Sequence, residues 1–182
     1  MFDVLDSVAA GSGSRSAERA ARIVIRPIQP GDETDLGAFF RELSPASRHR
    51  RFLAVVNELP PPVLAGFARP EQPGEIALVA TARDGETESL IAEARVAPDT
   101  RECRCAEFAL AVIDPEQGRG LGERLLRSLL RRARETGLAR IYGDVLPDNR
   151  PMLGLARKLG FSERRSPADP RLVRVERAVS EV

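Results

Sequence analysis

Hydrophobic residues recur with two different periods along this chain, and these periods divide it into helical and extended segments. Four apolar residues after Asp32 share one face of a predicted helix: Leu36, Phe39, Phe40 and Leu43. Asp32 can cap that helix, and Ser44 can cap a second helix that ends near Phe52. A short strand at 23–25 precedes both helices, and a short amphipathic segment at 63–68 follows them.

The middle of the chain changes to the alternating pattern that is typical of strands. Three consecutive strands are predicted, at 75–83, 89–96 and 104–113. Asp84-Gly85 and Pro98-Asp99 mark short turns between them, so we expect antiparallel pairing.

The last third of the chain alternates between helix and strand. A helix is predicted over 121–136, because leucine and alanine residues form an apolar stripe there, and Gly137 ends it. Four elements follow: a strand at 139–146, a helix that Asp148 or Asn149 can cap, and strands at 161–165 and 172–175.

This order of elements predicts a single α/β (α+β) domain over residues 22–182. Its sheet should be mixed and mostly antiparallel, with six to seven strands and with helices on both faces. Residues 1–21 are rich in glycine, serine, alanine and arginine, which predicts a mobile N-terminal tail.

Composition and charge narrow the possible functions. Apolar residues make up 42% of the chain and charged residues 30%, as in soluble globular proteins. The formal charge of +1 gives no attraction to nucleic acid or to an anionic membrane. The sequence has no apolar run long enough to cross a bilayer and no start typical of a secretory signal, so we predict a cytoplasmic protein.

The two cysteines, Cys103 and Cys105, lie two positions apart in or beside a predicted strand. Neighbours on one strand rarely have disulfide geometry, so reduced thiols are expected. The only histidine, His49, is distant in sequence and is interpreted as a surface residue. We therefore predict no metal site.

A glycine-rich segment joins a predicted buried strand to the helix that begins near residue 121. It reads Gln117-Gly118-Arg119-Gly120-Leu121-Gly122, and we call residues 117–122 the glycine loop. Glycines at alternate positions let backbone amides approach a ligand, and the helix dipole adds attraction for phosphate. The Arg119 side chain could also reach a phosphate. The loop therefore predicts a pyrophosphate site.

Two common nucleotide motifs do not match this loop. A dinucleotide fold requires G-x-G-x-x-G in its first strand–helix unit, whereas this loop has G-x-G-x-G after four strands. A Walker-type loop requires Gly-Lys-Ser/Thr, which is absent from the sequence. A glycine turn that only permits tight packing remains an alternative at this point.

Glu107 interrupts an otherwise apolar stretch, residues 105–113. A carboxylate in such a strand is costly unless it is paired or faces a cavity, and desolvation raises its pKa. Two interpretations follow from the residues alone. Glu107 could be a general base, or it could form a salt bridge with Arg95 or Arg104.

The glycine loop, Asn149 and Leu159-Gly160-Phe161 together resemble the GNAT superfamily of acyl-CoA N-acyltransferases. Within it, the chain is most similar to the catalytic domain of bacterial Pat-type protein lysine acetyltransferases. Four stretches carry that similarity: Ile25-Arg26-Pro27-Ile28; Leu43-Ser44-Pro45 with Ser47 and Arg51-Phe52; Ala106-Glu107-Phe108-Ala109; and Asp144-Val145-Leu146 with Asn149-Arg150-Pro151-Met152-Leu153.

The resemblance implies acetyl-CoA as the acyl donor, no metal, and Glu107 as the general base. It also implies that the sheet splays after Val112, and that the backbone amide at Leu110 polarises the thioester carbonyl. The implied cofactor-binding residues are Leu110, Val112, Gln117, Gly118, Arg119, Gly120, Leu121, Gly122 and Asn149.

Many GNAT enzymes have a tyrosine as general acid at the position that Ala156 occupies here. Pat-like domains commonly lack it, and a CoA thiolate can leave without much help. Tyr142, the only tyrosine, is interpreted as a packing residue.

The acceptor is the open part of the prediction. A protein lysine ε-amine, for example on an acyl-CoA synthetase, is the first hypothesis, and a small-molecule amine is the second. The third is a CoA-binding regulatory module without turnover, which would have no need for Glu107. A monomer or a homodimer is expected.

Overall fold

The structure, a computed structural model, describes residues 23–70, 73–85 and 87–179. The predicted tail, residues 1–21, lies outside them. Within the described residues seven strands are β1 (Ile23–Pro27), β2 (Ile76–Asp84), β3 (Thr87–Pro98), β4 (Cys105–Val112), β5 (Arg140–Val145), β6 (Ser162–Arg165) and β7 (Val173–Ala178). The α-helices in the same residues are α1 (Glu33–Glu42), α2 (Pro45–Phe52), α3 (Pro61–Ala68), α4 (Leu121–Glu135) and α5 (Arg150–Lys158).

In this part of the chain the strands form one sheet in the order β1-β2-β3-β4-β5-β7-β6. Every neighbouring pair is antiparallel except β4 and β5, which are parallel. The predicted mixed, mostly antiparallel sheet is therefore confirmed. Strand β7 runs past the predicted end at residue 175, because it pairs with both β5 and β6.

The sheet opens between β4 and β5. Their regular pairing includes only residues 105–107 of β4 and ends where Glu107 lies opposite Tyr142. The antiparallel pairing of β4 with β3 continues to Val112. The strands therefore diverge just after Glu107, which corrects the expected position after Val112.

Helices cover both faces of the centre of the sheet. Seven consecutive residues of β3, from Leu90 to Val96, are buried, and alternate residues of a strand point to opposite faces. Helices α1 and α4 both pack on β3. The apolar stripe of α4 is buried as predicted, from Leu121 at its start to Ala133 near its end. This packing fixes the start of α4, and with it the glycine loop, beside β4.

The predicted helix caps are confirmed in part. Ser44 Oγ accepts a hydrogen bond from the Ser47 amide and caps α2. The Asp32 side chain does not cap α1, which corrects the prediction. It accepts hydrogen bonds from the Gln29 amide and from the Arg26 guanidinium instead, because β1 brings that cation within reach.

None of the helices in the described residues is long and apolar enough to cross a membrane.

Candidate active site

A cleft of about 660 Å³ opens where β4 and β5 diverge. Residues of β4, the glycine loop, α2, β5 and α5 line it. Gly143 of β5 lies at the point of divergence. A Cβ atom there would be 3.1 Å from the Phe108 carbonyl oxygen and 3.0 Å from its ring. Glycine therefore lets the two strands stay close up to the cleft.

The edge of β4 that faces the cleft presents backbone amides. The Ile113 amide donates to Ile91 O of β3 at 3.0 Å. Successive amides of a strand point to opposite edges, so the amides of Leu110 and Val112 point away from β3. The pairing with β5 has already ended at these two residues. Their N–H groups are therefore available to a ligand in the cleft.

The backbone conformation of the glycine loop favours glycine at two of its positions. Gly118 and Gly120 have φ values of +73° and +82°, in the left-handed region that favours glycine. A Cβ atom at either position would have no other atom within 4 Å, so tight packing does not explain them. At Gly122 a Cβ would meet Leu110 and Leu155 at an ordinary 3.5 Å. The packing alternative is therefore not supported.

Helix α4 begins immediately after this loop, at Leu121. Its N-cap residue, Gly120, has no side chain to accept a hydrogen bond from the first amides of the helix. Those amides and the positive end of the helix dipole attract an anion. The loop and the start of α4 therefore form a cradle suited to a pyrophosphate.

Two side chains of the loop have partners within the protein. Gln117 Nε2 donates to Val112 O at 2.9 Å and to Ser47 Oγ at 3.2 Å. Arg119 pairs with the buried carboxylate of Glu116 at 3.4 Å, and its side chain is 54% exposed. Gln117 lines the cleft and Arg119 does not. In this conformation the Arg119 guanidinium pairs with Glu116, and its contact with a phosphate stays a prediction.

Asn149 caps α5 and also lines the cleft. Its Oδ1 accepts a hydrogen bond from the Met152 amide at 3.3 Å. Because the oxygen faces the helix, the amide nitrogen of the side chain is the group left for a ligand. The predicted cap is confirmed, and the structure brings Asn149 into one cleft with Leu110, Val112 and the glycine loop.

Glu107 lies on β4 at the opening between the strands and lines the cleft. In the described part of the chain its carboxylate forms neither a hydrogen bond nor an ion pair. The two suggested partners bind elsewhere, Arg95 to Glu93 and Arg104 to the Gly137 carbonyl. Solvent reaches Glu107 from the cleft, yet partial desolvation raises its pKa, and the negative charge of Asp144 adds to that shift.

Two hydrogen-bonded pairs lie beside Glu107, formed by residues of β5, its neighbour β7 and the segment after β3. Tyr142 donates to Asp99 Oδ2 at 2.7 Å, and Asp144 pairs with Arg174 at 2.8 Å. The Arg174 guanidinium also lies over the Tyr142 ring, 4.1 Å from its centroid. Desolvation and the hydrogen bond to Asp99 raise the pKa of Tyr142. The Tyr142 hydroxyl therefore keeps its proton in the hydrogen bond to Asp99, and its packing role stays a prediction.

The interpretation of the sequence missed a buried charge cluster at the cleft wall. Glu93 of β3 is fully buried, and its carboxylate binds both Arg51 of α2 and Arg95 of β3. The Arg95 guanidinium lies 3.9 Å from the centroid of the Phe67 ring. The sequence signal for this cluster is Glu93 with Arg95, two positions apart in an otherwise apolar strand, since a buried carboxylate needs a cationic partner.

Comparison with known proteins identifies the family. Residues 38–161 match the acetyltransferase (GNAT) family. The chain is also 34% identical over 155 residues to Acetyltransferase PA5475 of Pseudomonas aeruginosa, a match that covers 85% of this chain and 82% of that protein. The chain belongs to the GNAT acetyltransferase family.

Two Pat proteins are similar to this GNAT acetyltransferase. The chain is 31% identical over 137 residues to Acetyltransferase Pat of Mycolicibacterium smegmatis, covering 75% of this chain and 40% of the length of that protein. The solved GNAT domain of S. lividans PAT has 30% sequence identity and a TM-score of 0.75, covering 85% of this chain and 89% of the other. The predicted fold and the Pat-type resemblance are confirmed.

A second solved structure has the same fold and contains its cofactor. This is yncA of Salmonella typhimurium, a putative acetyltransferase with acetyl-CoA, which has 18% sequence identity and a TM-score of 0.71 over 88% of this chain. In that protein the fold holds acetyl-CoA. The cradle and the available amides of Leu110 and Val112 fit the pyrophosphate and amide groups of such a molecule.

Proposed function

We propose that this GNAT acetyltransferase transfers the acetyl group of acetyl-CoA to a protein lysine ε-amine by direct attack, with Glu107 as the general base. The observation that carries the proposal is the position of Glu107. Its carboxylate, which has no ionic partner in the described part of the chain, lies in the cleft at the last paired residues of β4 and β5. A carboxylate without a partner at this position has the geometry needed to accept a proton from a bound amine.

The proton transfer sets the pH at which the enzyme is active. An amine with a pKa of about 10 is mostly protonated at pH 7 and must lose a proton before it attacks. Glu107 accepts that proton directly or through a water molecule. Its raised pKa makes it a stronger base than an ordinary glutamate.

The backbone is proposed to hold and polarise the donor. The amides from Gly118 to Gly122, including those of Arg119 and Leu121, bind the pyrophosphate. Val112 and the Asn149 side chain bind the pantetheine arm, and Gln117 fixes the loop against β4. The Leu110 amide donates to the thioester carbonyl as negative charge develops on its oxygen.

The reaction forms an N–C bond and breaks the C–S bond of the thioester. The proton taken from the amine passes to Glu107, and the CoA thiolate leaves with the electrons of the C–S bond. A buried alanine, Ala156, occupies the position of the usual tyrosine acid. The thiolate therefore leaves without a protein acid, which its moderate pKa permits. The amine nitrogen loses a second proton as the amide forms. That proton passes through water to the thiolate, and Glu107 releases the first proton to solvent.

The resemblance of the sequence to Pat-type protein lysine acetyltransferases supports a protein lysine as the acceptor, and two Pat proteins are among the relatives of the chain. A small-molecule amine is the second candidate. The chain is 40% identical over 55 residues to the L-methionine sulfoximine/L-methionine sulfone acetyltransferase of Pseudomonas aeruginosa, a match that covers 30% of this chain. That relative favours an amino-acid-like acceptor.

An acceptor panel distinguishes these candidates. CoA release from acetyl-CoA would be measured with an acyl-CoA synthetase, with lysine peptides, and with amino acids that include methionine sulfone. We expect the protein to be acetylated with the highest kcat/KM and mass spectrometry to locate the acetyl group on a lysine. Faster turnover of a small amine would move the assignment to the second candidate. Binding of acetyl-CoA without turnover on any acceptor would contradict both.

Replacement of Gly120 by alanine tests the cradle against a matched control. Gly120 and Gly137 both have φ near +80° and no atom within 4 Å of an added Cβ. Each Gly→Ala variant should therefore lose about 1–2 kcal/mol of stability from backbone strain alone. Calorimetric titration with CoA should show about tenfold weaker binding for Gly120→Ala and unchanged binding for Gly137→Ala. Equal affinities of the two variants would argue against the cradle.

A further inference from the structure

Helix α2 contains much of one stretch that resembles Pat-type domains, although none of its residues takes part in the proposed proton transfer. Its first turn is joined to the segment after β4, about 70 residues further along the chain. Ser44 Oγ donates to Asp114 Oδ1 at 2.8 Å, and the Ser44 amide donates to Oδ2 at 3.0 Å. One carboxylate therefore binds the cap of α2 with both oxygens.

Ser47 extends this contact to the glycine loop. Its hydroxyl donates to Asp114 Oδ1 at 3.0 Å and accepts a hydrogen bond from Gln117 Nε2 at 3.2 Å. Gln117 also donates to Val112 O on the cleft edge of β4. The network therefore runs without interruption from the first turn of α2 to the first residue of the loop.

The charge of Asp114 strengthens the network. Burial alone would raise the pKa of Asp114, but hydrogen bonds from the amide and hydroxyl of Ser44 and from Ser47 outweigh it and hold that pKa below its usual range. The carboxylate is therefore ionised at neutral pH. Hydrogen bonds to an ionised acceptor are about twice as strong as those between neutral groups.

The other end of α2 forms the wall of the cleft near Glu107. Arg50, Arg51 and Phe52 line the cleft, and Arg51 is anchored to Glu93 of β3. The Arg51 charge also acts on Glu107, where it opposes the rise in pKa. The eight residues of α2 span about 12 Å, so one rigid element connects the glycine loop with the part of the cleft that holds Glu107.

We propose that Asp114 is a positioning residue that couples the glycine loop to α2, so that cofactor binding at the loop orders the cleft wall used by the acceptor. The coupling rests on the proposed binding of the pyrophosphate at the loop. It assigns a role to Ser47 of α2 and to the N-cap Ser44, which both bind the Asp114 carboxylate just before the loop.

Hydrogen exchange with CoA as the probe tests this coupling without turnover. In the wild type, saturating CoA should slow amide exchange about tenfold both in the loop and in α2, a size typical of coupled sites. Asp114→Asn and Ser47→Ala should keep the protection of the loop and lose that of α2. Both variants should also raise the acceptor KM more than they lower kcat. Asp35→Asn, which changes an exposed aspartate on α1, should match the wild type.

The outcomes separate the coupling from the binding site on which it depends. If α2 is protected equally in the wild type and in both variants, or is not protected by CoA in the wild type, the coupling is wrong. If CoA does not protect the loop in the wild type, the proposed pyrophosphate site is wrong and the coupling falls with it. Should Asp114→Asn fail to fold, Ser47→Ala decides the result, because it removes only one hydroxyl and keeps the bonds from Ser44 to Asp114.

Discussion

Exchange of Glu107 for glutamine should lower kcat/KM for the amine acceptor by about 10²–10⁴-fold, the usual contribution of a general base. Glutamine keeps the size of the side chain but cannot accept the proton of the ammonium group. The affinity for CoA should stay within about twofold of the wild type, since the amides proposed to bind CoA are unchanged. Glu42→Gln, an exposed change on α1, is the matched control.

The pH dependence of kcat/KM provides a second test of Glu107 as the general base. Partial desolvation and Asp144 raise the pKa of Glu107, while Arg174 and Arg51 oppose the shift. The carboxylate is the active form, so wild-type kcat/KM should fall as the pH decreases through a pKa above the usual glutamate value. That acidic limb should be absent in Glu107→Gln. A variant with wild-type rates at every pH would remove Glu107 from the mechanism.

Glu107→Gln should lower activity without lowering the stability of the fold. A carboxyl group whose pKa is higher in the folded protein than in the unfolded chain disfavours folding once it is ionised. Glu107→Gln should therefore melt at the same temperature as the wild type or slightly above it at pH 7. Any difference in melting temperature should vanish as the pH falls below the pKa of Glu107 in the unfolded chain. A marked drop in melting temperature would indicate a structural role for Glu107.

Exchange of Glu93 for glutamine should destabilise the protein by about 3–5 kcal/mol, as expected when one partner of a buried ion pair is removed. Glu93 is fully buried, and the change would leave the guanidinium groups of Arg51 and Arg95 without their shared carboxylate. Urea denaturation at pH 7 measures the loss. Glu88→Gln on the same strand should cost less than about 1 kcal/mol, because its pairs with Arg26 and Arg83 are at the surface.

The loss of stability in Glu93→Gln should become smaller as the pH decreases. Burial alone would raise the pKa of Glu93, but the charges of Arg95 and Arg51 outweigh it and hold that pKa below its usual value. A carboxyl group with a lowered pKa stabilises the fold above the pKa of the unfolded chain, and this contribution is lost in acid. The difference between wild type and Glu93→Gln should therefore shrink as the pH falls. If the difference in free energy of unfolding is the same at every pH, the loss of stability comes from packing and not from the charge of Glu93.

Much of the fold follows from local patterns that a sequence displays directly. The apolar stripe of α4 is buried as its spacing predicts, and Gly137 follows the helix in the left-handed conformation. Ser44 and Asn149 cap their helices because a cap depends on residues only three positions apart. The Asp32 cap was wrong because a residue on another element, Arg26, competes for the same carboxylate.

The glycine loop is the part of the candidate site that the sequence specified most fully. Alternate glycines between a strand and a helix predict a phosphate cradle, and the structure shows left-handed conformations at Gly118 and Gly120. The direction of the Arg119 side chain could not be predicted. It is set by the pair with Glu116, whose burial depends on the packing around the loop.

The sequence by itself determined the order of the elements, the glycine loop between a strand and a helix, and an unusual carboxylate at Glu107, because each is a pattern of neighbouring residues. Only the tertiary structure decided that Glu107 has no ionic partner in the described residues, that Arg95 belongs to Glu93, and that β4 leaves β5 just after Glu107. It also brought Asp114 to the cap of α2. Such pairings join residues far apart in sequence, and their distances are set by the packing of the whole sheet.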